Sequence, residues 1–155
     1  LVVEDNLQNF VLIARLLGYL GVRDIQMGSV ILYIEDNFEN RLLVRRILEV
    51  EGYQVVEAED GPRGLELARS LRPDLILVDL HLPDIDGYEL VRQFKQMPHL
   101  QGVPIVALTA DVIRGTRERA LATGCDGYIP KPIDVDALPE QIAAFLKNEE
   151  AHHGR

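Results

Sequence analysis

Short apolar runs alternate with longer segments of helical period between Val30 and Lys147, and this alternation constrains the fold more than any other feature. Short apolar runs are typical of parallel strands buried on both faces, and the helices between such strands cover the sheet. The predicted strands are Val30–Ile34, Gln54–Glu57, Leu75–Val78, Ile105–Leu108 and Tyr128–Ile129. The predicted helices are Glu39–Glu51, Pro62–Leu71, Tyr88–Gln96, Val112–Thr123 and Val135–Lys147. The sequence therefore predicts an α/β fold of five strand-helix units.

The last predicted helix has an apolar face at helical spacing. Its members are Val135, Leu138, Ile142, Phe145 and Leu146. Because these side chains would share one side of the helix, we expect it to pack on the sheet. Asp134 stands where an N-cap is expected, and Pro139 fits only if it lies within the first turn.

Charge and hydropathy limit the partners and the location of the chain. It carries 25 acidic and 16 basic residues, a formal net charge of -9 at pH 7. This surplus opposes binding to nucleic acid and to anionic membranes, so we expect protein or cation partners. The apolar stretch Phe10–Val22 is interrupted by Arg15 and is shorter than the ~20 residues of a spanning helix. The opening residues Leu1–Asn6 lack the basic region of a secretory signal, so we expect a cytoplasmic protein.

Residues 1 to 26 repeat the start of the main domain at an offset of 31 positions. Leu1–Asn6 aligns with Leu32–Asn37, and nine of the 26 aligned pairs are identical. Such self-similarity indicates an internal duplication of a strand-helix-strand piece. The predicted division is a partial repeat with its junction at 1–29, a main domain at 30–148 and a disordered tail at 149–155. A fragment of this kind cannot bury its apolar side chains alone, so we expect it to pack on an exposed surface of its own chain or of a second copy. The alternative is that it displaces the equivalent piece Val30–Glu57 and presents Glu4 and Asp5 in place of Glu35 and Asp36.

Five polar side chains stand at the carboxyl ends of the predicted strands. They are Glu35 and Asp36 after the first strand, Asp79 after the third, Thr109 after the fourth and Lys131 after the fifth. In an open parallel sheet these ends converge on one crevice, which is the usual ligand site. A single acid or threonine at a strand end more often caps a helix or is solvated. Five at one edge favour a shared site.

The expected crevice combines three carboxylates with a cation and a hydroxyl. Because the carboxylates repel each other, a hard cation with oxygen ligands, Mg²⁺ or Mn²⁺, is the expected occupant. The Lys131 ammonium and the Thr109 hydroxyl would then hold an incoming phosphoryl group while Asp79 attacks phosphorus. The resulting acyl phosphate is labile, which suits a signal that must decay.

These motifs together resemble bacterial receiver domains of two-component response regulators, over about residues 30 to 147. The matching stretches are Val30–Asn37, Pro73–Asp79, Leu82–Gly87, Val106–Ala110 and Tyr128–Pro132. The resemblance implies a flavodoxin-like, doubly wound sheet of five parallel strands in the order 2-1-3-4-5, with helices on both faces. Gly124–Tyr128 and Lys131–Asp134 resemble stand-alone regulators of chemotaxis and cell-cycle type and the receivers of hybrid kinases.

The resemblance also implies the roles of individual residues. Asp79 would be the phosphoacceptor, and the ligands of the metal would be Glu35, Asp36, Asp79 and the backbone carbonyl of His81. Thr109 and Lys131 correspond to the conserved hydroxyl and lysine of the family. The peptide bond from Lys131 into Pro132 is expected to be cis.

Two further side chains near the crevice have more than one interpretation. Tyr128 resembles the family's switch aromatic, whose ring turns inward as the threonine moves toward the phosphoryl group. The alternative is a half-buried aromatic with a solvated hydroxyl. We expect the His81 side chain to point to solvent at the crevice mouth. The single Cys125 cannot form an internal disulfide and is expected to be a small buried side chain.

The implied function is that of a phosphoacceptor signalling domain rather than an enzyme. A sensor histidine kinase or histidine phosphotransfer protein would donate the phosphoryl group, and a downstream protein would respond. Two alternatives stay open, a phosphorylation-independent interaction module and an aspartyl-phosphate phosphatase, although such hydrolases usually carry the nucleophile after their first strand. A flavodoxin-like nucleotide module would need a phosphate loop where Glu35–Asn37 instead places two acids.

Overall fold

The computed structural model describes residues 28–110 and 116–153, which contain one sheet of five parallel strands flanked by helices. The strands are β1 (Val30–Ile34), β2 (Gln54–Ala58), β3 (Leu75–Asp79), β4 (Ile105–Thr109) and β5 (Gly127–Pro130). Their order is β2-β1-β3-β4-β5, which confirms the predicted fold class. Because the chain winds outward in both directions from the β1 and β3 pair, the crevice at their carboxyl ends is the expected ligand site.

The predicted and observed strands differ only at their ends. The strand β1 has the predicted bounds, whereas β2, β3 and β4 each continue for one more residue. For β3 and β4 the reason is that the terminal polar residue still pairs through its backbone. Asp79, for example, lies opposite Leu108 in the parallel ladder. The apolar pattern therefore underestimates the strand length where a functional side chain ends the strand.

The first three helices begin and end close to their predicted positions, and the fourth ends at the predicted Thr123. The helices are α1 (Phe38–Val50), α2 (Gly61–Ser70), α3 (Gly87–Gln96), α4 (Thr116–Thr123) and α5 (Leu138–His153), with a short 3-10 helix at Pro98–Leu100. A side-chain N-cap precedes each of the first three helices. Asn37 accepts from the Asn40 amide, Asp60 from the Arg63 amide and Asp86 from the Tyr88 amide. Each cap satisfies a backbone N–H that has no partner within the helix.

Helix α5 corrects the prediction at both ends. The Asp134 carboxylate accepts from the amides of Asp136 and Ala137, so it closes a turn and the helix begins only at Leu138. Val135, predicted on the apolar face, is 50% exposed. Pro139 lies in the first turn, where its missing N–H costs nothing. The helix continues to His153, beyond the predicted end at Lys147, because no glycine or proline interrupts it before Gly154.

Each face of the sheet has its own apolar core, because successive side chains of a strand alternate between faces. On one face, Ile31 and Tyr33 pack with side chains of α1 and α5, including Leu48 and Ile142. On the other face, Leu32, Ile34 and Val78 belong to a cluster that includes side chains of α2 and α3. The sheet is thus covered on both sides, which explains the continuous apolar runs of its central strands.

Some sequence-based predictions fall outside the described residues. The repeat at 1–26 lies there, as does the predicted start of the fourth helix at Val112. Within the described part of the chain, no helix combines the length and apolar character needed to cross a bilayer.

The Cys125 thiol is buried, as predicted, and belongs to the core cluster on the α2 and α3 face. Burial raises the pKa of Cys125 to about 11, Asp126 adds to the rise, and Lys95 opposes it. Because the thiolate is the reactive form, we expect alkylation at about pH 8 to be roughly a hundredfold slower in the folded than in the unfolded protein. Iodoacetamide labelling followed by intact-mass spectrometry, with and without denaturant, measures both rates. Equal rates would contradict this burial.

Candidate functional site

The carboxyl ends of four strands bring the predicted polar side chains together. Glu35 and Asp36 follow β1, while Asp79 ends β3. One carboxylate oxygen from each of these three acids lies within 4.8 Å of the others. Glu35 and Asp79 are buried, whereas Asp36 is exposed at the crevice mouth. The sequence-based expectation that these acids would be neighbours is therefore met.

Lys131 joins two of the acids. Its Nζ donates to Glu35 Oε1 at 2.8 Å and to Asp79 Oδ2 at 3.1 Å. Burial alone would lower the pKa of Lys131, but hydrogen bonding and attraction from Glu35 and Asp79 outweigh it, so the pKa is raised above its ordinary value. The ammonium therefore stays charged between two carboxylates that are almost completely removed from solvent.

Glu35 is held from several sides at once. Its Oε1 also accepts from the hydroxyl of Tyr33 and from the side-chain amide of Asn40, each at 3.3 Å. Its Oε2 accepts from the backbone amide of Asn37 at 3.3 Å. Tyr33 is itself fully buried, and burial followed by the nearby Glu35 charge raises its pKa far above the ordinary value. The tyrosine therefore acts as a neutral donor that fixes the carboxylate.

Asp79 is oriented by its own loop and by Lys131. The backbone amide of His81 donates to Asp79 Oδ1 at 2.9 Å, while Oδ2 accepts from Lys131. The loop after β3 is closely packed, since Gly87 at the start of α3 lies against the backbone of Leu80. Both carboxylate oxygens are thus held in place, and the carboxylate is presented in a fixed direction.

His81 and Thr109 are in contact across the crevice. The imidazole Nε2 of His81 lies 3.2 Å from Thr109 Oγ1. The prediction that the His81 side chain points to solvent is therefore wrong in part, because the residue is exposed but its ring reaches the threonine. The physical reason is the sheet geometry, which puts the second residue after β3 within side-chain reach of the end of the neighbouring β4.

The remaining predicted residues lie on or after β5. Tyr128 is half-buried in β5 and packs against the core cluster of the α2 and α3 face. The Lys131–Pro132 peptide bond is cis, the isomer that the resemblance implied. The backbone amide of Lys131 donates to the carbonyl of Thr109, which continues the strand pairing up to the lysine.

The charge and the donor types of the site fit a hard divalent cation. The three carboxylates outnumber the Lys131 ammonium, which leaves an excess of two negative charges among these four side chains. Oxygen donors that converge within a few ångströms are the ligands that Mg²⁺ prefers. Within the described part of the chain, Glu35, Asp36 and Asp79 form the group of side chains able to hold it. A divalent cation would balance the two remaining charges.

Sequence reasoning missed the residues that support the acids from helix α1. Asn40 contacts the Glu35 side chain, and Arg41 donates to the backbone carbonyls of Glu35 and Asp36. The available signal was their spacing, since both lie within the first four residues of a helix that begins two positions after Asp36. Side chains there point back toward the helix N-terminus and so toward the preceding loop.

Comparisons with known proteins point to one family. The family described as response regulator receiver domain matches residues 31–143. Over 98 residues, the chain is 40% identical to the polar-differentiation response regulator DivK of Brucella anthropi, covering 63% of this chain and 80% of DivK.

Solved structures agree with that match. The chemotaxis response regulator CheY4 of Vibrio cholerae superposes with a TM-score of 0.73 at 26% identity, covering 77% of this chain and 99% of CheY4. The receiver domain of sensor histidine kinase PA1611 from Pseudomonas aeruginosa PAO1 has a TM-score of 0.72 at 34% identity, covering 77% of this chain and 98% of that domain. That domain was solved with a magnesium ion coordinated in its active site cleft.

Proposed function

Because the chain belongs to the response-regulator receiver domains of two-component systems, we propose that Asp79 is its phosphoacceptor. We propose further that Glu35, Asp36, Asp79 and the backbone carbonyl of His81 hold Mg²⁺. The observation that carries the proposal is the Lys131 ammonium bound to Asp79 beside a second buried carboxylate, at the strand-end crevice. A purely structural ion pair would not need the additional exposed acid, Asp36, at the same place.

The arrangement supports in-line transfer to Asp79. An Asp79 carboxylate oxygen bonds to phosphorus as the bond to the donor's imidazole nitrogen breaks, and the electron pair leaves with that nitrogen. Bound Mg²⁺ would supply charge neutralisation at the phosphoryl oxygens. Lys131 lies close enough to Asp79 to pair with the added negative charge, and the Thr109 hydroxyl is the expected hydrogen-bond donor.

The proposed donor is a sensor histidine kinase or a histidine phosphotransfer protein, and the proposed output is altered contact with a downstream protein. Thr109 and Lys131 would report the phosphoryl charge to the surrounding surface, with Tyr128 as the aromatic that follows the threonine. A phosphorylation-independent interaction module is the second candidate, and the same experiment separates the two, because that module would take up no phosphoryl group.

The test is intact-mass spectrometry after incubation with acetyl phosphate and Mg²⁺. We expect a mass increment of one phosphoryl group that hydroxylamine removes, since acyl phosphates are cleaved by that nucleophile. The Asp79→Asn variant and the parent in excess chelator should both lose the increment almost completely. Asp84→Asn, which changes an exposed acid in the same loop, is the matched control and should be labelled like the parent. Normal labelling of Asp79→Asn would refute the assignment.

A further inference from the structure

We propose that Arg41 is a positioning residue for the metal site, an inference that rests on the proposed function. Its Nη1 donates to the backbone carbonyl oxygens of Glu35 at 2.7 Å and of Asp36 at 3.0 Å. One terminal nitrogen of a planar guanidinium carries two protons, so it can serve both carbonyls at once. The arginine thus connects helix α1 to the two consecutive residues that carry the acidic side chains.

The backbone between β1 and α1 needs such support because it is short and belongs to neither element. The strand β1 ends at Ile34 and α1 begins at Phe38, which leaves only Glu35, Asp36 and Asn37 between them. The Glu35 amide donates to Ala58 of β2, and Asn37 serves as the helix N-cap. The hydrogen bonds that Arg41 donates to the Glu35 and Asp36 carbonyls therefore hold this turn from the helix side as well.

The two acids depend on this support to different degrees. The Glu35 carboxylate is also held by Tyr33, Asn40 and Lys131 through side-chain hydrogen bonds. Asp36 is exposed, and its carboxylate takes its direction from the backbone that carries it. Loss of the Arg41 contacts should therefore release Asp36 more than Glu35.

Arg41 is itself restrained by its place on the helix. It lies in the first turn of α1, where its amide donates to the Asn37 carbonyl. Its guanidinium also lies 5.8 Å from the centroid of the Phe38 ring, within the range of a cation–π contact. The side chain therefore starts from a fixed helical position and ends between an aromatic ring and two carbonyls.

Charge and position predict opposite results when Arg41 is replaced. As a cation beside an acidic crevice, Arg41 repels Mg²⁺, so removal of its charge alone should tighten metal binding. As a support of the loop, its removal should weaken binding, because partners that orient metal ligands typically contribute 10–100-fold to affinity. The direction of the change therefore identifies the role.

The experiment compares Arg41→Met with Arg46→Met in the full chain. Arg46 is exposed on the same helix, so its replacement removes the same charge without touching the loop. Calorimetric titration with Mg²⁺ alone gives the dissociation constant, and the Mg²⁺-induced shift of the thermal midpoint provides a second measure. We expect Arg41→Met to weaken Mg²⁺ binding about tenfold and Arg46→Met to leave it unchanged or slightly tighter.

A conservative variant and the parent complete the design. Arg41→Lys keeps the charge but loses the planar fork, and we expect an affinity between those of the parent and Arg41→Met. Parental or tighter binding by Arg41→Met would overturn the inference while leaving the proposed function intact. If Arg41→Met does not fold, parental affinity of Arg41→Lys would overturn it instead. A parent chain that fails to bind Mg²⁺ would overturn the proposed metal site and this inference together.

Discussion

Replacement of Lys131 by methionine is expected to lower the free energy of unfolding by about 3–5 kcal/mol at neutral pH, the usual cost of leaving a buried charge without its partner. In the parent, the Lys131 ammonium separates Glu35 and Asp79, which are both buried. Methionine fills a similar volume but leaves the two carboxylates facing each other. The loss arises from repulsion and desolvation, not from a cavity.

Denaturant unfolding of the parent and Lys131→Met at about pH 7.5 measures this difference. The pKa of Lys131 is higher in the folded than in the unfolded protein. The stabilisation by its ion pairs is therefore fully present below the ordinary lysine pKa of about 10.4, and it disappears only as the pH rises through the pKa of the folded state. The measurement at neutral pH therefore reports the complete ion pair. Added Mg²⁺ should stabilise Lys131→Met more than the parent, because the cation can replace the missing positive charge.

The matched control is Lys95→Met. Lys95 Nζ pairs with Asp126 Oδ2 at 3.2 Å, but both side chains are more than a third exposed. A solvent-exposed pair contributes about 0–1 kcal/mol, so the free energy of unfolding of this variant should be close to that of the parent. If Lys95→Met and Lys131→Met lower the free energy of unfolding by similar amounts, Lys131 does not compensate a buried acid pair.

Replacement of Gly87 by alanine is expected to destabilise the fold by about 3 kcal/mol, the upper part of the range for overpacking. A Cβ at this position would lie 2.4 Å from the Cα of Leu80 and 2.8 Å from its carbonyl oxygen. Both are backbone atoms of the residue after Asp79, so no side-chain rotation can relieve the contact. The β3–α3 loop has to move away from helix α3.

That movement should also slow phosphorylation. The His81 amide, which orients Asp79 Oδ1, lies on the displaced segment. A misplacement of about 1 Å at reacting groups can cost on the order of a hundredfold in rate, and we expect Gly87→Ala to lose at least tenfold. The rate is followed by intact mass with acetyl phosphate and Mg²⁺, in a folded sample confirmed by circular dichroism.

Gly64→Ala is the control for a glycine under steric contact. The three atoms nearest an added Cβ there all belong to the Ile34 side chain, with Cγ1 at 2.8 Å, and Gly64 lies inside helix α2. The gain in helix propensity, about 1 kcal/mol, should offset much of the crowding. We expect near-parental stability and a parental phosphorylation rate. If Gly87→Ala behaves in the same way, the close approach of α3 to Leu80 does not constrain the loop.

The sequence by itself determined the fold class and the membership of the crevice. Apolar runs of four or five residues indicate buried parallel strands, and polar residues directly after them must meet at one edge, because parallel strands share a direction. Glu35, Asp36, Asp79, Thr109 and Lys131 could therefore be identified without coordinates. The local signals for α1, α2 and α3 were equally strong, since each has a side-chain cap two residues before its predicted start.

Only the tertiary structure decided which atoms meet. Lys131 and Glu35 are 96 positions apart, and His81 and Thr109 are 28 apart, so no periodicity relates them. The support of the acidic loop by Arg41 also depends on how helix α1 is set against β1. The late start of α5 has a local cause instead, because the Asp134 carboxylate accepts from the amides two and three positions further along before the helix begins. Periodicity specifies which face is buried, whereas side-chain contacts depend on the packing of elements far apart in sequence.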